Sequence, residues 1–489
     1  MTIVNHAADG DEANARILSG RLGRGMKAES VESDDLHSRA VRQTRPYSIG
    51  ESHSARYVWY VIFILAVVNV FNYMDRMALA VLAPSIKADL QLSDAQLGLL
   101  VGLAFSLFYA VCGIPIAWWA DRGVRRNIIA IALAVWSAMT VLCGAAQNFW
   151  HLFAARVGVG AGEAGGLPAA QSMICDYVPL KQRSGAFGFH NFGLIVGTMF
   201  GMALAGWLGE SIGWRLAFVA LGLPGIVLAL VVRFTLREPS RGSLDAVKDD
   251  ETTLSFVETI GVLWSCRTYR LLLLFLAVSG FLHYGLNQWW PSFYVRVFGL
   301  SMSSIGVHLG MALGVGQGAG LLIGGLLANK AAQRDIRLPL MIGAAATALA
   351  LPAAVGSLFV SSALSSILLV CLTVLFWSVC NAPVIATLYS VVTPRMRATA
   401  GALSMFCTAA FGLSLGPFCV GLLSDTLTPL LGVEALRYAL LAPICLFPVV
   451  VILLYAAAKE LPHDLRMAGT RLKSDSVGDR RNRKAVAES

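Results

Sequence analysis

The sequence predicts an all-α polytopic membrane protein: twelve transmembrane helices in two pseudo-symmetric six-helix bundles. Composition is the first reason. Of 489 residues, 56% are hydrophobic and 14% charged, against about 25% charged in soluble domains, and the mean hydropathy is +0.67. Spacing is the second. Apolar stretches long enough to cross ~30 Å of hydrocarbon as helices recur at 57–82, 94–119, 127–146, 149–177, 184–208, 214–235, 269–297, 301–328, 338–358, 361–390, 396–423 and 434–457. The third reason is an internal echo. "VPLKQRSGAFG", ending at Gly188, resembles "VTPRMRATAGAL", ending at Leu403, and "ADRGVRR" after the second stretch has a worn counterpart in "ANKAAQR" after the eighth.

These stretches divide the chain. Residues 1–56 are hydrophilic, with eight Lys/Arg against eight Asp/Glu and no signal-peptide core, and read as a disordered cytoplasmic tail. An N-terminal bundle spans 57–235, a polar cytoplasmic linker 236–268 and a C-terminal bundle 269–457. A basic cytoplasmic tail follows over 458–489. The net charge of +9 fits a cytosolic surface near anionic lipid rather than a nucleic-acid partner. Nine cysteines lie mostly within apolar runs without CxxC spacing, so neither disulfides nor a metal site is expected. No cofactor is implied.

Loop charges set the orientation. Loops after spans 2, 4, 8 and 10 hold Arg122, Arg125, Arg126, Lys181, Arg183, Lys330, Arg334, Arg337, Arg395 and Arg397. Those on the other side hold Lys87, Arg215, Arg296 and Arg437. By the positive-inside rule both termini are cytoplasmic, with the cell (inner) membrane the expected location. Two related six-span halves mark a transporter with its site between them at mid-membrane. Gly193, Gly197 and Gly201 in span 5, and Gly412 and Gly416 in span 11, recur every four residues and suit close helix packing.

With these residues in view, the sequence resembles the major facilitator superfamily and, within it, the Spinster-like branch. The resemblance rests on "NYMDR" (72–76), "FYAVCGIPIAWWADRGVRR" (108–126), "RVGVGAGEAGGLPAAQSMICDYVP" (156–179), "NQWWPSFYVRVFGLS" (287–301) and "NAPVIATLYSVVTPRMRATAGA" (381–402). It implies a proton-coupled or otherwise secondary transporter working by rocker-switch alternating access. Animal members of the branch handle lysolipids and sphingoid phosphates. Four positions depart from the family pattern: Gly123 directly follows Arg122, Ala117 replaces the Gly four residues before Asp121, Tyr389 stands where a Gln is frequent, and His190 where a small or hydroxyl residue is expected.

Charges inside the spans are the main functional signal. A charged residue at the bilayer centre costs ~2.5–3.5 kcal/mol, so Asp75, Arg76, Arg156 and Glu163 together cost roughly 10–14 kcal/mol unless they pair or meet a cavity. Arg156 and Glu163 lie two turns apart on one helix face, and Arg76 is rotated ~100° from Asp75. Asp75, Arg156 and Glu163 are therefore expected to form one proton-coupling network, with Arg76 turned to a different partner, such as a substrate carboxylate or phosphate. A shift of Arg156 relative to a carboxyl would change proton affinity with transport state.

The remaining candidates are weaker signals. Phe105, Tyr109, His190, Asn287, Gln288, Trp289, Trp290, Asn381 and Tyr389 sit at cavity depth with Arg76 and suit an amphipathic substrate. Asp121 and Arg122 read as an inter-helix latch at the cytoplasmic gate, Arg125 and Arg126 as orienting charges only. No HExxH, GxS or DxD constellation suggests an enzyme, no Walker sequence an ATP-driven pump, and the tails are too short for a sensor domain. The cargo is a small organic anion or a lysolipid-like amphiphile. The expected partners are that cargo, protons and membrane lipids, with the chain a monomer. Span 5 ("GLIVGTMFG") lacks the proline of superfamily antiporters, which favours uptake or uniport.

Overall fold

The computed structural model describes residues 54–120, 122–240, 256–393 and 396–487. The N-terminal tail up to residue 53, residues 241–255 of the linker, Asp121, and Pro394 with Arg395 lie outside the described residues. Residues 56–489 make one compact unit.

Helices follow the apolar runs. They are α1 (Ala55–Leu90), α2 (Asp94–Val101), α3 (Leu103–Ala120), α4 (Arg125–Gly144), α5 (Phe149–Glu163), α6 (Gly166–Tyr177), α7 (Arg183–Ser211) and α8 (Gly213–Thr235). A short α9 (Phe256–Ser265) leads into the second half. There follow α10 (Arg267–Asn287), α11 (Trp290–Phe298), α12 (Met302–Ala332), α13 (Leu338–Phe359), α14 (Ala363–Ser378) and α15 (Asn381–Ser390). Then come α16 (Arg397–Cys407), a π-helical stretch Thr408–Leu415, α17 (Gly416–Leu431), α18 (Ala435–Ile444) and α19 (Phe447–Ala487).

Among the described residues, ten helical stretches are long and apolar enough to cross a membrane. The difference from twelve has a local cause. The fourth expected span is interrupted between α5 and α6 by "AGG" at 164–166 and carries Arg156 and Glu163. The eleventh and twelfth run together as one stretch over Thr399–Met467. Six of the expected spans are thus built from two helical pieces or carry a π insert.

Elementary signals set the ends. Gln91 turns at φ 52° after α1, and Ser93 then opens α2 with a capping box to Gln96. Asn148, Ser301 and Ser362 cap α5, α12 and α14 with their side chains. Gly299, at φ 62°, ends α11. The glycine repeats pack as their spacing predicts: a methyl on Gly197 would stand 2.5 Å from the Val70 carbonyl oxygen, and one on Gly412 would stand 2.8 Å from the Gly280 carbonyl carbon.

The halves are bonded to each other at the end of the bundle that carries the loops after odd-numbered spans. There Asp425 accepts the backbone N–H groups of Asp94 (2.9 Å) and Ala95 (2.7 Å), capping the N-terminus of α2 from the opposite half. The Asp94 carboxylate accepts from Lys87 Nζ (2.5 Å), from both terminal nitrogens of Arg296 (2.6 Å each) and from Ser424 Oγ (2.7 Å). Deeper in, Ser106 and Ser414 share a 2.5 Å hydroxyl contact.

The opposite end has a different network. Arg125 is buried, donating to Glu238 Oε1 (2.7 Å), Ser172 Oγ (2.9 Å), the Pro239 carbonyl (3.1 Å) and Asp176. Arg126 donates its backbone N–H to Glu238 (2.9 Å) and NH1 to the Leu236 carbonyl (3.1 Å). These two arginines are therefore more than orienting charges: they tie the ends of α4, α6 and α8 together. Asp176 and Glu238 are distant in sequence, so the convergence had no local signature. Arg122 lies exposed over the Trp118 ring at 4.2 Å, on its own side of the bundle.

Candidate functional site

The charges of α1 and α5 meet in the interior, and their partners follow from the helical step. Arg76 faces α5 and binds Glu163 twice, Nε to Oε2 at 2.9 Å and NH2 to Oε2 at 2.8 Å. Asp75, one residue earlier and ~100° round the helix, faces α4 and accepts from Thr140 Oγ1 at 2.9 Å. This corrects the expected network, since the partner of Glu163 is Arg76. Arg156 lies within electrostatic reach of both Asp75 and Glu163, but its buried Nε has no hydrogen-bond partner among the described residues. Glu163 is fully buried; Asn72 reaches it, yet its Oε1 also lacks a partner. Buried ionic groups left partly unsatisfied are costly in a low-dielectric interior.

Aromatic rings hold the guanidinium. Arg76 stands 5.2 Å from the Tyr73 ring centre, 4.8 Å from Phe105 and 5.2 Å from Tyr109. Phe105 and Tyr109 stack on each other at 5.7 Å, and Arg156 lies over Phe105 at 5.3 Å. A planar cation in such a box keeps its faces covered and turns its donor edge to an anion, here Glu163.

That edge borders a cavity of about 300 Å³ between the halves. From the N-terminal half it is lined by Asn69, Asn72, Tyr73, Arg76, Tyr109 and Asn191 among others. From the C-terminal half come Leu276, Tyr284, Ile385, Leu388, Tyr389 and Met405, with Ser404 and Thr408 beside them. Arg76, Tyr109 and Tyr389 are thus brought to the cavity as their depth suggested, while Phe105 lies buried behind Arg76.

Other candidates are placed elsewhere. His190 is buried and is not among the residues lining the cavity, and its carbonyl accepts from Asn69 Nδ2 at 3.0 Å. Asn287 and Trp290 line a small separate space with His283, which stacks on Trp377 at 4.1 Å. Gln288 is buried nearby. Trp289 donates its indole N–H to the Pro417 carbonyl (2.9 Å), bracing α17. Asn381 opens α15 half-buried and is not among the residues lining the cavity. Asp121 lies outside the described residues.

Sequence reasoning missed Asn69, Asn72 and Tyr73. Their signal was available: with Arg76 they recur at i, i+3, i+4 and i+7, a polar stripe on one face of an apolar helix. Thr140, a lone hydroxyl in an apolar run, offered none.

Residues 65–417 match the Major Facilitator Superfamily. The chain belongs to that superfamily. Within it, the chain is 37% identical over 396 residues to an MFS-type efflux pump of Mycolicibacterium smegmatis, covering 80% of this chain and 90% of the relative. It is 27% identical to the cis,cis-muconate transport protein of Acinetobacter baylyi, over 62% of this chain and 73% of that one. The crystal structure of a bacterial homologue of the human lysosomal transporter Spinster, inward-facing and unoccupied, superposes with a TM-score of 0.75. It shares 30% identity and covers 84% of this chain and 99% of that chain. The protein is accordingly a Spinster-like major facilitator, an integral multi-pass membrane transporter.

Proposed function

We propose that this transporter carries a small organic anion by alternating access, in symport with protons, through the site formed by Arg76 and Glu163. The observation that supports this most directly is the pair of contacts from Arg76 Nε and NH2 to one oxygen of Glu163 at the cavity edge, with the other oxygen unpartnered among the described residues. A substrate carboxylate that engages Arg76 competes with Glu163 for the same donors. Released from them, Glu163 is a buried, under-solvated carboxylate, and a proton neutralises it. Anion binding thereby favours proton binding, and by linkage the reverse. Positive coupling of this kind suits symport rather than exchange. Asp75 and Arg156 set the local field.

The muconate relative carries an organic acid by its name, which agrees with an anionic cargo. Cross-half bonds close the odd-loop end, so with that end outward the cavity belongs to an inward-facing state with cytoplasmic termini. Export is the second reading, favoured by the efflux-pump relative; there proton and substrate exchange, and the proton signal reverses sign.

The test is proton movement in proteoliposomes of the full chain, offered a panel of organic acids. Substrate-dependent proton flux in the direction of the anion, lost in Glu163→Gln and reduced in Asp75→Asn, is the expected result. Anion transport without proton movement would overturn the coupling.

A further inference from the structure

The two walls of the central cavity differ in kind, and the difference selects a cargo. Resting on the reading above, we propose that the site is built for a monocarboxylate with a compact apolar or aromatic body, moved with one proton and no net charge.

Hydrogen-bond capacity is the first argument. On the N-terminal wall, Arg76 and the amides of Asn69, Asn72 and Asn191 gather donors at one end of the cavity. Facing them are Leu276, Ile385, Leu388 and Met405. That side also carries the phenols of Tyr284 and Tyr389 and two aliphatic hydroxyls, whose protons go to their own helix: Ser404 Oγ donates to the Ala400 carbonyl (2.7 Å) and Thr408 Oγ1 to the Ser404 carbonyl (3.0 Å). Tyr389 lies against the backbone of α16, where a methyl on Gly401 would stand 2.6 Å from its hydroxyl. A carboxylate fits the first wall. A polyhydroxylated chain attached to it would meet mostly apolar side chains and a few hydroxyl oxygens on the second, and leave most of its own hydroxyls unpaired, a heavier penalty than any apolar body meets.

Charge count is the second. The four interior charges, Asp75, Arg76, Arg156 and Glu163, sum to zero when all are ionised and to +1 with one carboxyl protonated. Their titratable neighbours are Tyr73, Tyr109, Tyr284 and Cys143, three phenols and a thiol, with no further carboxylate or amine among them. One anionic charge restores neutrality to the protonated site in a low-dielectric interior, and a second would exceed it. Size is the third: about 300 Å³ lies at the lower edge of ligand pockets, so a long acyl chain would have to leave the cavity.

The experiment uses the purified full chain in proteoliposomes and compares 3-phenylpropionate, gluconate, cis,cis-muconate and a lysophosphatidylcholine as competitors and as driven cargo. A preference for 3-phenylpropionate of at least about tenfold over the other three, with flux driven by a pH gradient and unaffected by a valinomycin–potassium potential, is expected. Met405→Gln, which adds an amide to the apolar wall at nearly constant volume, should narrow the gap between phenylpropionate and gluconate. Equal or better transport of gluconate or muconate, or flux that follows the potential, overturns the inference while leaving proton-coupled anion transport intact. Preference for the lysolipid overturns it in favour of an amphiphile carrier. Binding of none of the four overturns both readings.

Discussion

At the odd-loop end Asp94 is buried with four donors on its two oxygens, whereas Glu163 is equally buried with, among the described residues, no partner on one oxygen and none on the Nε of the buried arginine beside it, Arg156. Both clusters are interior ion pairs, and both draw on residues of α1. The first is complete: Lys87 and Arg296 supply its cations, Ser424 the remaining donor, and Asp425 neutralises the excess while capping α2. A finished cluster has no use for a proton or a ligand and acts as a fastening between halves. An unfinished one gains by acquiring either. Completeness, rather than charge itself, separates a structural ion pair from a working one here.

Mutations can break that contrast. The largest effect expected is from Asp94→Ala, which strands two cations at a buried site and should cost about 3 kcal/mol of closure. Distances between spin labels at Ala88 and Leu430 would then broaden and lengthen; an unchanged distribution would remove Asp94 from the fastening. Next comes Glu163→Gln, expected to lower proton-driven flux about 100-fold, or ~2.7 kcal/mol at 1.36 per decade, while costing less thermal stability in detergent than Asp94→Ala, because the amide oxygen still accepts from Arg76. A stability loss like that of Asp94→Ala would make the two clusters equivalent. Gly421→Ala sharpens the comparison without touching charge. Its methyl would stand 2.2 Å from the Asp94 carbonyl oxygen, so α2 and α17 must separate, at about 1–3 kcal/mol, and the same labels should report it. Asp425→Asn should be mildest, about 1 kcal/mol, because the amide oxygen still accepts one of the two α2 N–H groups, while the charge and the second bond are lost at an end that solvent reaches.

The sequence carried the fold in its hydrophobic spacing and its repeat, because a bilayer imposes length and composition on every span. It also marked the four interior charges, each too costly to be incidental. The pairing among them was harder to read. A 100° step says that Asp75 and Arg76 diverge but not which neighbour each meets, and Thr140 gave no sign of itself. Arg125 shows the same limit, since its partners Asp176, at the end of span 4, and Glu238, in the linker just after span 6, converge only when those ends are packed. The aromatic candidates near 287–290 were judged by depth alone, and depth does not distinguish the central cavity from the space around His283. What was legible and overlooked is the Asn69, Asn72, Tyr73, Arg76 stripe.

The π-helical stretch at Thr408–Leu415 has a consequence for how span 11 can serve two places at once. An i→i+5 turn holds an additional residue, which delays the angular phase of everything beyond it by about one residue step, ~100°. Below the insert, the phase is fixed by Ser404, Met405 and Thr408 facing the cavity; above it, by Ser424 and Asp425 facing Asp94. A regular α-helix would have one phase for both tasks. The insert decouples them, so cavity lining and fastening are set by separate sequence choices on a single rod.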